Sequence, residues 1–173
     1  MKPIKTYHTN GKLRAYYYEL NGKRHGEYKT WYANGQLNTH KYYVNGEYHG
    51  EYKWWYANGQ LNIYTHYVNG KIHGEYKYWH DNGQLNIHKY YEHGQLNGEY
   101  KRWYETGQLN LTTYHVNGQY HGEYKEWHAN GDLNTHTFWV HNQEVTDEID
   151  KLVTNRYNIT QEERTLIKLA VGC

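Results

Sequence analysis

The chain contains 14 histidines, enough to raise the possibility of a metal-binding site. His25, His49, His73 and His121 recur at one position of a regular series, and Asn97 takes the remaining place between His73 and His121. If successive members lie two β-strands apart, they are separated by about 9.6 Å. The donor atoms around one metal ion lie only about 3–4 Å from each other. The series is therefore too widely spaced to chelate, and we predict neither a metal site nor a cofactor.

Glutamate and lysine two residues apart could act as an acid–base pair. The pair occurs in five copies: Glu27/Lys29, Glu51/Lys53, Glu75/Lys77, Glu99/Lys101 and Glu123/Lys125. Catalysis requires one such pair in a pocket that shifts its pKa values, and five equivalent copies single out none. No nucleophile triad, phosphate-binding loop or zinc-binding spacing is present either. We interpret the pairs as a solvated charged face and expect a protein without catalytic activity.

A ladder of tryptophans is the third regular feature. Its members are Trp31, Trp55, Trp79, Trp103 and Trp127. Such a row could stack on sugar rings, enter a groove of a protein partner, or pack on tyrosine neighbours within the sheet. We therefore take these tryptophans as candidate binding residues, with internal packing as the competing interpretation.

The elements that position these residues follow from a strict internal repeat. Gly11, Gly35, Gly59, Gly83, Gly107 and Gly131 are each 24 residues apart. Each interval contains two strand-favouring runs, such as residues 51–56 and 61–68, separated by Asn-Gly turns. Asn-Gly suits tight hairpins because both residues tolerate positive φ. Residues 1–144 are thus predicted to form an all-β, single-layer antiparallel meander of 24-residue β-hairpin repeats.

The two faces of this sheet are expected to differ in composition. Regular pairing would place Glu27, Lys29 and Trp31 on one face and Tyr28 on the other, and would repeat this in each hairpin. A β-bulge would change that assignment. Neither face is purely apolar, so we expect a sheet that is hydrated on both sides.

The pattern changes to helical spacing from Val145 onward. Residues 145–173 are predicted to form two short helices that cap the open end of the sheet or join two copies of the chain. The candidate association residues are Ile149, Leu152, Val153, Leu166, Ile167 and Leu169. We expect any specialised function at this tail or where the repeat lapses, at Asn97 and Thr106.

The composition limits the class of partner. The formal net charge is only +1, which disfavours nucleic acid and anionic lipid as ligands. No stretch of the sequence matches a secretion signal or a membrane span, so an intracellular location is expected. The 14 histidines motivate a further hypothesis, that acid loosens the fold.

The motifs Gly-Glu-Tyr-Lys-x-Trp, Asn-Gly-Gln-Leu and Tyr-Val-Asn-Gly-x-x-His-Gly resemble MORN repeats over roughly residues 4–144. They are most similar to the variant class found in bacterial antitoxin-like proteins and giant DNA viruses, and the composition favours a viral source. The resemblance implies a scaffold that binds a protein partner. Carbohydrate binding through the tryptophan ladder and antitoxin-like binding of a partner protein are the alternatives.

Overall fold

The structure, a computed structural model, describes residues 1–145, which form one antiparallel sheet of 13 strands in meander order. The strands are β1 (Pro3–Tyr7), β2 (Leu13–Leu20), β3 (Lys23–Trp31), β4 (Leu37–Val44), β5 (Glu47–Trp55), β6 (Leu61–Val68), β7 (Lys71–Trp79), β8 (Leu85–Glu92), β9 (Gln95–Trp103), β10 (Leu109–Val116), β11 (Gln119–Trp127), β12 (Leu133–Val140) and β13 (Gln143–Val145). The predicted repeat meander is confirmed. Val145, where the helical spacing begins, ends β13, and the six candidate association residues of the tail lie outside the described residues.

The hairpins use two kinds of turn, which lie at opposite ends of the strands. In the turn at Asn45-Gly46, both residues have positive φ, at 52° and 91°, as a two-residue type I′ turn requires. In the longer turn of Tyr32–Gln36, only Gly35 has positive φ, at 97°. There the Asn34 side chain accepts a hydrogen bond from the Gln36 backbone N–H at 2.9 Å. Positive φ therefore explains the asparagine of the short turns, and side-chain capping explains the asparagine of the long turns.

Neighbouring turns are hydrogen-bonded to each other along both margins of the sheet. On one margin, the Asn34 amide donates to the Ala57 carbonyl at 2.9 Å, and other repeats contain the same bond. On the opposite margin, the Gly70 N–H donates to the Tyr48 carbonyl at 2.9 Å. Thr106 has no side-chain amide, so the first series stops there. These bonds fix the orientation of each hairpin relative to the next.

β-Bulges occur at regular positions in two series. The series beside the long turns advances one residue on one strand and two on the other, as from Thr30↔Thr39 to Trp31↔Leu37. The series beside the short turns does not exchange the faces. Between β4 and β5 the pairing moves from Lys41↔Tyr52 to Tyr43↔Tyr48, so three residues around Gly50 lie opposite Tyr42. The shift spans two residues on β4 and four residues on β5, and both numbers are even. Side chains that pair therefore stay on the same face across the irregularity.

The sheet therefore has two distinct faces. We define the tyrosine face by its central row of paired residues, which comprises Tyr28, Lys41, Tyr52, Thr65, Tyr76, Lys89, Tyr100, Thr113 and Tyr124. The opposite, Glu–Lys face carries the five Glu–Lys pairs. Buried residues concentrate on the tyrosine face, where Tyr43 is 5% exposed, Thr65 is 1% exposed and Thr113 is 2% exposed.

Candidate interaction surface

Lys41 lies at the centre of a group of tyrosine rings on the tyrosine face. Its Nζ is 4.9 Å from the ring centroid of Tyr28, 5.1 Å from that of Tyr48 and 5.8 Å from that of Tyr52. The ammonium also donates a hydrogen bond to the Tyr48 hydroxyl at 3.2 Å. Burial acts to lower the pKa of Lys41, but the Tyr48 hydroxyl and the nearby Tyr43 outweigh it and raise the pKa. The lysine therefore stays charged and holds the rings by cation–π attraction.

Ring contacts continue from this group across the neighbouring strands. The ring centroids of Tyr43 and Tyr48 are 4.9 Å apart, and those of Tyr48 and Tyr67 are 5.0 Å apart. Tyr67 also meets Tyr52 edge to face at 5.9 Å. Such pairs contribute about 0.5–1.5 kcal/mol each beyond the area that they bury. They give the face rigidity although no second layer of strands or helices from residues 1–145 packs on it.

A second lysine repeats the arrangement two repeats later. Lys89 Nζ is 4.6 Å from the ring centroid of Tyr76, 5.2 Å from that of Tyr91 and 5.9 Å from that of Tyr100. The buried Thr65 and Thr113 hold the corresponding places in the alternate repeats. This alternation is visible in the sequence as Lys, Thr, Lys, Thr, but nothing local to these residues marks them as part of a binding surface.

The tyrosine face carries cations between β3 and β9. Lys41 and Lys89 have only uncharged paired residues, whereas Arg24 pairs with Glu19 of β2 and Arg102 lies 3.8 Å from the Glu126 carboxylate of β11. Arg24 lies over the Tyr28 ring at 4.8 Å and donates a hydrogen bond to the Tyr43 hydroxyl at 3.3 Å. This part of the face therefore presents aromatic rings together with cations.

Tyrosine hydroxyls on this face keep their protons at neutral pH. Burial raises the pKa of the four hydroxyls that border the two lysines, those of Tyr52, Tyr67, Tyr76 and Tyr100. A protonated phenol can both donate and accept a hydrogen bond. Each ring thus offers a partner an apolar surface and a polar group.

His115 stands where other repeats have tyrosine, and only 6% of it is exposed. Its ring lies 4.7 Å from that of Tyr120 on β11 and 6.1 Å from that of Tyr100 on β9, and its Nδ1 has no hydrogen-bond partner. Burial, and then the charge of Lys89, lower the pKa of His115. The folded chain therefore binds this proton less readily than the unfolded chain does.

Replacing His115 with tyrosine is expected to reduce the sensitivity of the fold to acid. Because the folded-state pKa of His115 is depressed, its neutral form supports stability above the ordinary histidine pKa, about 6.5, and stability falls as the pH drops below it. Thermal melts at pH 7.5 and 5.5 should show a larger loss of Tm for the wild type than for His115→Tyr. Equal losses would contradict this explanation of acid sensitivity.

The Glu–Lys face repeats one ionic arrangement. Glu75 pairs with Lys77 at 2.9 Å, and its carboxylate also contacts His88 Nε2 at 3.1 Å and the Tyr90 hydroxyl at 3.3 Å. The hydrogen bond from Lys77 lowers the pKa of Glu75, burial opposes this, and His88 lowers it further. Glu27 and Glu123 have equivalent lysine and histidine partners. The carboxylates thus remain ionised and share one environment, which supports a solvated charged face.

The histidine series lies near the short turns. The rings of His73 and His93 are 5.3 Å apart, and the His93 backbone N–H donates to His73 Nδ1 at 3.5 Å. Within residues 1–145, no group of three or more His, Cys, Asp or Glu side chains is arranged to hold a metal ion. The same residues include no helix that is long and apolar enough to cross a membrane.

The tryptophan ladder lies at the strand ends beside the long turns. All five candidate side chains are half-buried, and no other aromatic ring of residues 1–145 stacks on them. Their backbone carbonyls take part in joining the repeats. The Tyr32 hydroxyl donates to the Trp55 carbonyl at 2.7 Å, and the Tyr56 hydroxyl donates to the Trp79 carbonyl at 2.9 Å. Burial, followed by the Tyr78 hydroxyl, raises the pKa of Tyr56 to about 12, so it remains a donor.

Comparison with known protein families identifies the type of repeat. The family model described as the MORN repeat variant matches five consecutive segments, residues 24–45, 48–69, 72–93, 96–117 and 120–141. These segments correspond to the hairpins from β3 to β12. No curated protein shows significant similarity to the chain.

Proposed function

Because the chain belongs to the MORN repeat variant family, we propose that it is a non-catalytic scaffold whose tyrosine face binds a protein partner. The observation that carries this proposal is the pair of tyrosine groups on one face, one held around Lys41 and the other around Lys89. Repeat arrays commonly bind partners along such extended surfaces. The family itself supports a scaffold or interaction role and a chain without catalysis.

Physical features of the tyrosine face favour a protein ligand. Tyrosine is enriched at the centres of protein interfaces because a rigid ring buries apolar area at little entropic cost. Here the rings are already fixed by one another and by the lysines, so binding orders few side chains. The charges of Lys41 and Lys89 favour a partner surface that carries carboxylates.

Removing hydroxyls from the tyrosine face tests this proposal without disturbing ring packing. The variant Tyr52→Phe/Tyr76→Phe/Tyr100→Phe keeps every ring. The matched control, Tyr42→Phe/Tyr64→Phe/Tyr90→Phe, makes the same change on the Glu–Lys face. Partners are captured from a lysate of the native host with the tagged wild type, identified by mass spectrometry, and titrated against all three proteins.

We expect the tyrosine-face variant to weaken binding of the captured partner by roughly fivefold per hydroxyl that hydrogen-bonds to it. The control variant should bind like the wild type. If the partner binds only the control variant more weakly than the wild type, its binding surface lies on the Glu–Lys face. A partner that responds to neither triple variant would contradict a role for the tyrosine hydroxyls in binding.

Carbohydrate binding through the tryptophan ladder is the second candidate. One observation favours it: the five half-buried side chains keep part of their surface exposed, and no aromatic ring of the described residues stacks on them. A glycan array that compares the wild type with Trp79→Ala tests this candidate. Antitoxin-like inhibition is a special case of the protein-binding proposal and predicts that the captured partner is a toxin encoded nearby.

A further inference from the structure

A cavity of about 470 Å³ lies in the tyrosine face over the neighbouring strands β1, β2 and β3. The paired residues Thr6, Ala15 and Thr30 line it, one from each of these strands. Tyr17 and Tyr28, which pair with each other on the same face, line it as well. Sites for small molecules have volumes of about 300–1,000 Å³. The cavity is therefore large enough for a small ligand.

Small side chains at two repeat positions create this cavity. One and two periods after Thr30, the chain has Trp54 and Tyr78, and two periods after Ala15 it has Ile63. Trp54 and Tyr78 both pair with Ile63. Because equivalent positions lie on the same face of the sheet, large side chains occupy this place in the central hairpins, whereas alanine and threonine leave it open in β2 and β3.

Arg14 and Arg24 line the cavity at positions where the other repeats have uncharged residues. The residues equivalent to Arg14 are all asparagines, namely Asn38, Asn62, Asn86, Asn110 and Asn134. The residues equivalent to Arg24 are Tyr48, Ile72, Leu96 and Tyr120. Among the described residues that line the cavity there is no aspartate or glutamate. Two positive charges therefore border one cavity without an anion in its lining.

Both arginines are exposed and keep hydrogen-bond donors for a ligand. Within residues 1–145, Arg14 forms no hydrogen bond or ion pair. Arg24 has Glu19 as its partner in the strand register, but the two side chains form no ion pair. Its guanidinium lies instead over the rings of Tyr28, at 4.8 Å, and Tyr17, at 5.8 Å. A guanidinium has five N–H donors, and a bidentate carboxylate or phosphate takes only two of them.

We propose that this cavity binds a small organic anion, whose carboxylate or phosphate oxygens accept hydrogen bonds from Arg14 and Arg24. Arginine suits both groups because its planar fork matches two of their oxygens. The rings of Tyr17 and Tyr28, with centroids 5.3 Å apart and planes tilted by 31°, offer an apolar surface to the body of the ligand. This site is a second binding function, separate from the surface around Lys41 and Lys89.

Titration of the ¹⁵N-labelled chain with three probes, followed by NMR, tests the proposal. Benzoate, phenyl phosphate and the neutral benzamide share one ring and differ in the charged group. We expect at least one of the two anions to bind with a Kd below roughly 5 mM and benzamide to bind at least tenfold more weakly. The bound anion should shift the side-chain Nε–Hε resonances of Arg14 and Arg24. The tighter of the two anions shows whether the site prefers a carboxylate or a phosphate.

Removing each positive charge tests the role of the arginines. Arg14→Asn and Arg24→Leu introduce residue types that other repeats have at the same positions, so the fold should be kept. Each variant should bind the anion roughly tenfold more weakly, as the loss of a charge-assisted hydrogen bond predicts. The matched control, Lys89→Thr, removes a charge from the same face outside the cavity and introduces the residue type of Thr65. It should bind the anion like the wild type.

Filling the cavity tests its role without changing any charge. The double variant Ala15→Ile/Thr30→Tyr introduces the residue types of Ile63 and Tyr78, which the central hairpins have at these positions. We expect it to lose detectable binding of the anion because the side chains occupy the space of the ligand. The matched control, Thr135→Ile, makes an equivalent change on β12, away from the cavity, and should bind normally. Circular dichroism verifies that each variant keeps its sheet.

Several results would overturn the proposal. These are a Kd above roughly 5 mM for both anions, equal binding of benzamide, or equal weakening by Lys89→Thr and the arginine variants. Unchanged affinity in the filled double variant would overturn it as well. The arginine and cavity-filling variants keep Tyr52, Tyr76 and Tyr100, whose hydroxyls test the binding of a protein partner. Failure of anion binding would therefore leave that proposal standing, and the reverse also holds.

Discussion

Replacing Tyr43 with alanine is expected to lower the free energy of unfolding by about 3 kcal/mol. Only 5% of Tyr43 is exposed, and its ring contacts Tyr28 and Tyr48. Its hydroxyl also accepts a hydrogen bond from Arg24, and its ring lies 5.7 Å from Lys41 Nζ. The substitution would remove the cation–π contact together with the ring. It would also leave a cavity among these groups, because the face has few aliphatic side chains that could fill the space.

The adjacent Tyr42 provides the matched control. It has the same side chain in the same strand, but it lies on the opposite face and is 37% exposed. Tyr42→Ala should cost less than about 1 kcal/mol, as most exposed substitutions do. Chemical denaturation followed by far-UV circular dichroism measures both. Similar losses for the two variants would show that the tyrosine face is not the stabilising face.

Gly98→Ala is the second substitution with a large expected effect, a loss of about 2–3 kcal/mol in the free energy of unfolding. Gly98 has φ of +111°, outside the left-handed region that alanine tolerates. An added Cβ would also lie 3.4 Å from the Tyr90 Cβ, at the lower limit of ordinary van der Waals contact. The glycine belongs to the bulge that shifts the pairing between β8 and β9. The backbone must therefore strain or the bulge must reorganise.

Gly74 holds the equivalent place one repeat earlier and separates the two contributions. Its φ is +84°, and an added Cβ would meet no atom within 4 Å. Gly74→Ala should therefore cost only the backbone term, about 1–2 kcal/mol. Denaturation midpoints of the two variants give the comparison. If Gly74→Ala were the more destabilising change, the explanation of the Gly98 effect by its larger φ and closer neighbour would be wrong.

The repeat fold followed from the sequence because its information is local. The 24-residue glycine spacing and the strand-favouring runs fixed the number and order of hairpins. A meander needs only contacts between consecutive strands, so no long-range pairing had to be inferred. The sequence did not distinguish the two kinds of Asn-Gly turn. Asn34 keeps negative φ because its side chain caps the longer turn.

The tyrosine face could be predicted from the sequence only in part. The repeated Glu–Lys pairs were correctly assigned to one face, because alternation along a strand is a local property. The significance of Lys41 was missed because its partners Tyr28 and Tyr52 come from the strands on either side. A lysine in a half-polar strand gives no sign in sequence that aromatic rings surround it.

The recurring histidine, glutamate and tryptophan residues also show which properties are local and which depend on the tertiary structure. The sequence by itself determined that histidine, glutamate and tryptophan recur in equivalent copies, which argues against a unique catalytic group. Only the tertiary structure showed that the buried His115 differs from the other histidines of residues 1–145. Burial and register depend on which strands become neighbours, and the free energy of a side chain depends on those neighbours rather than on its place in the repeat.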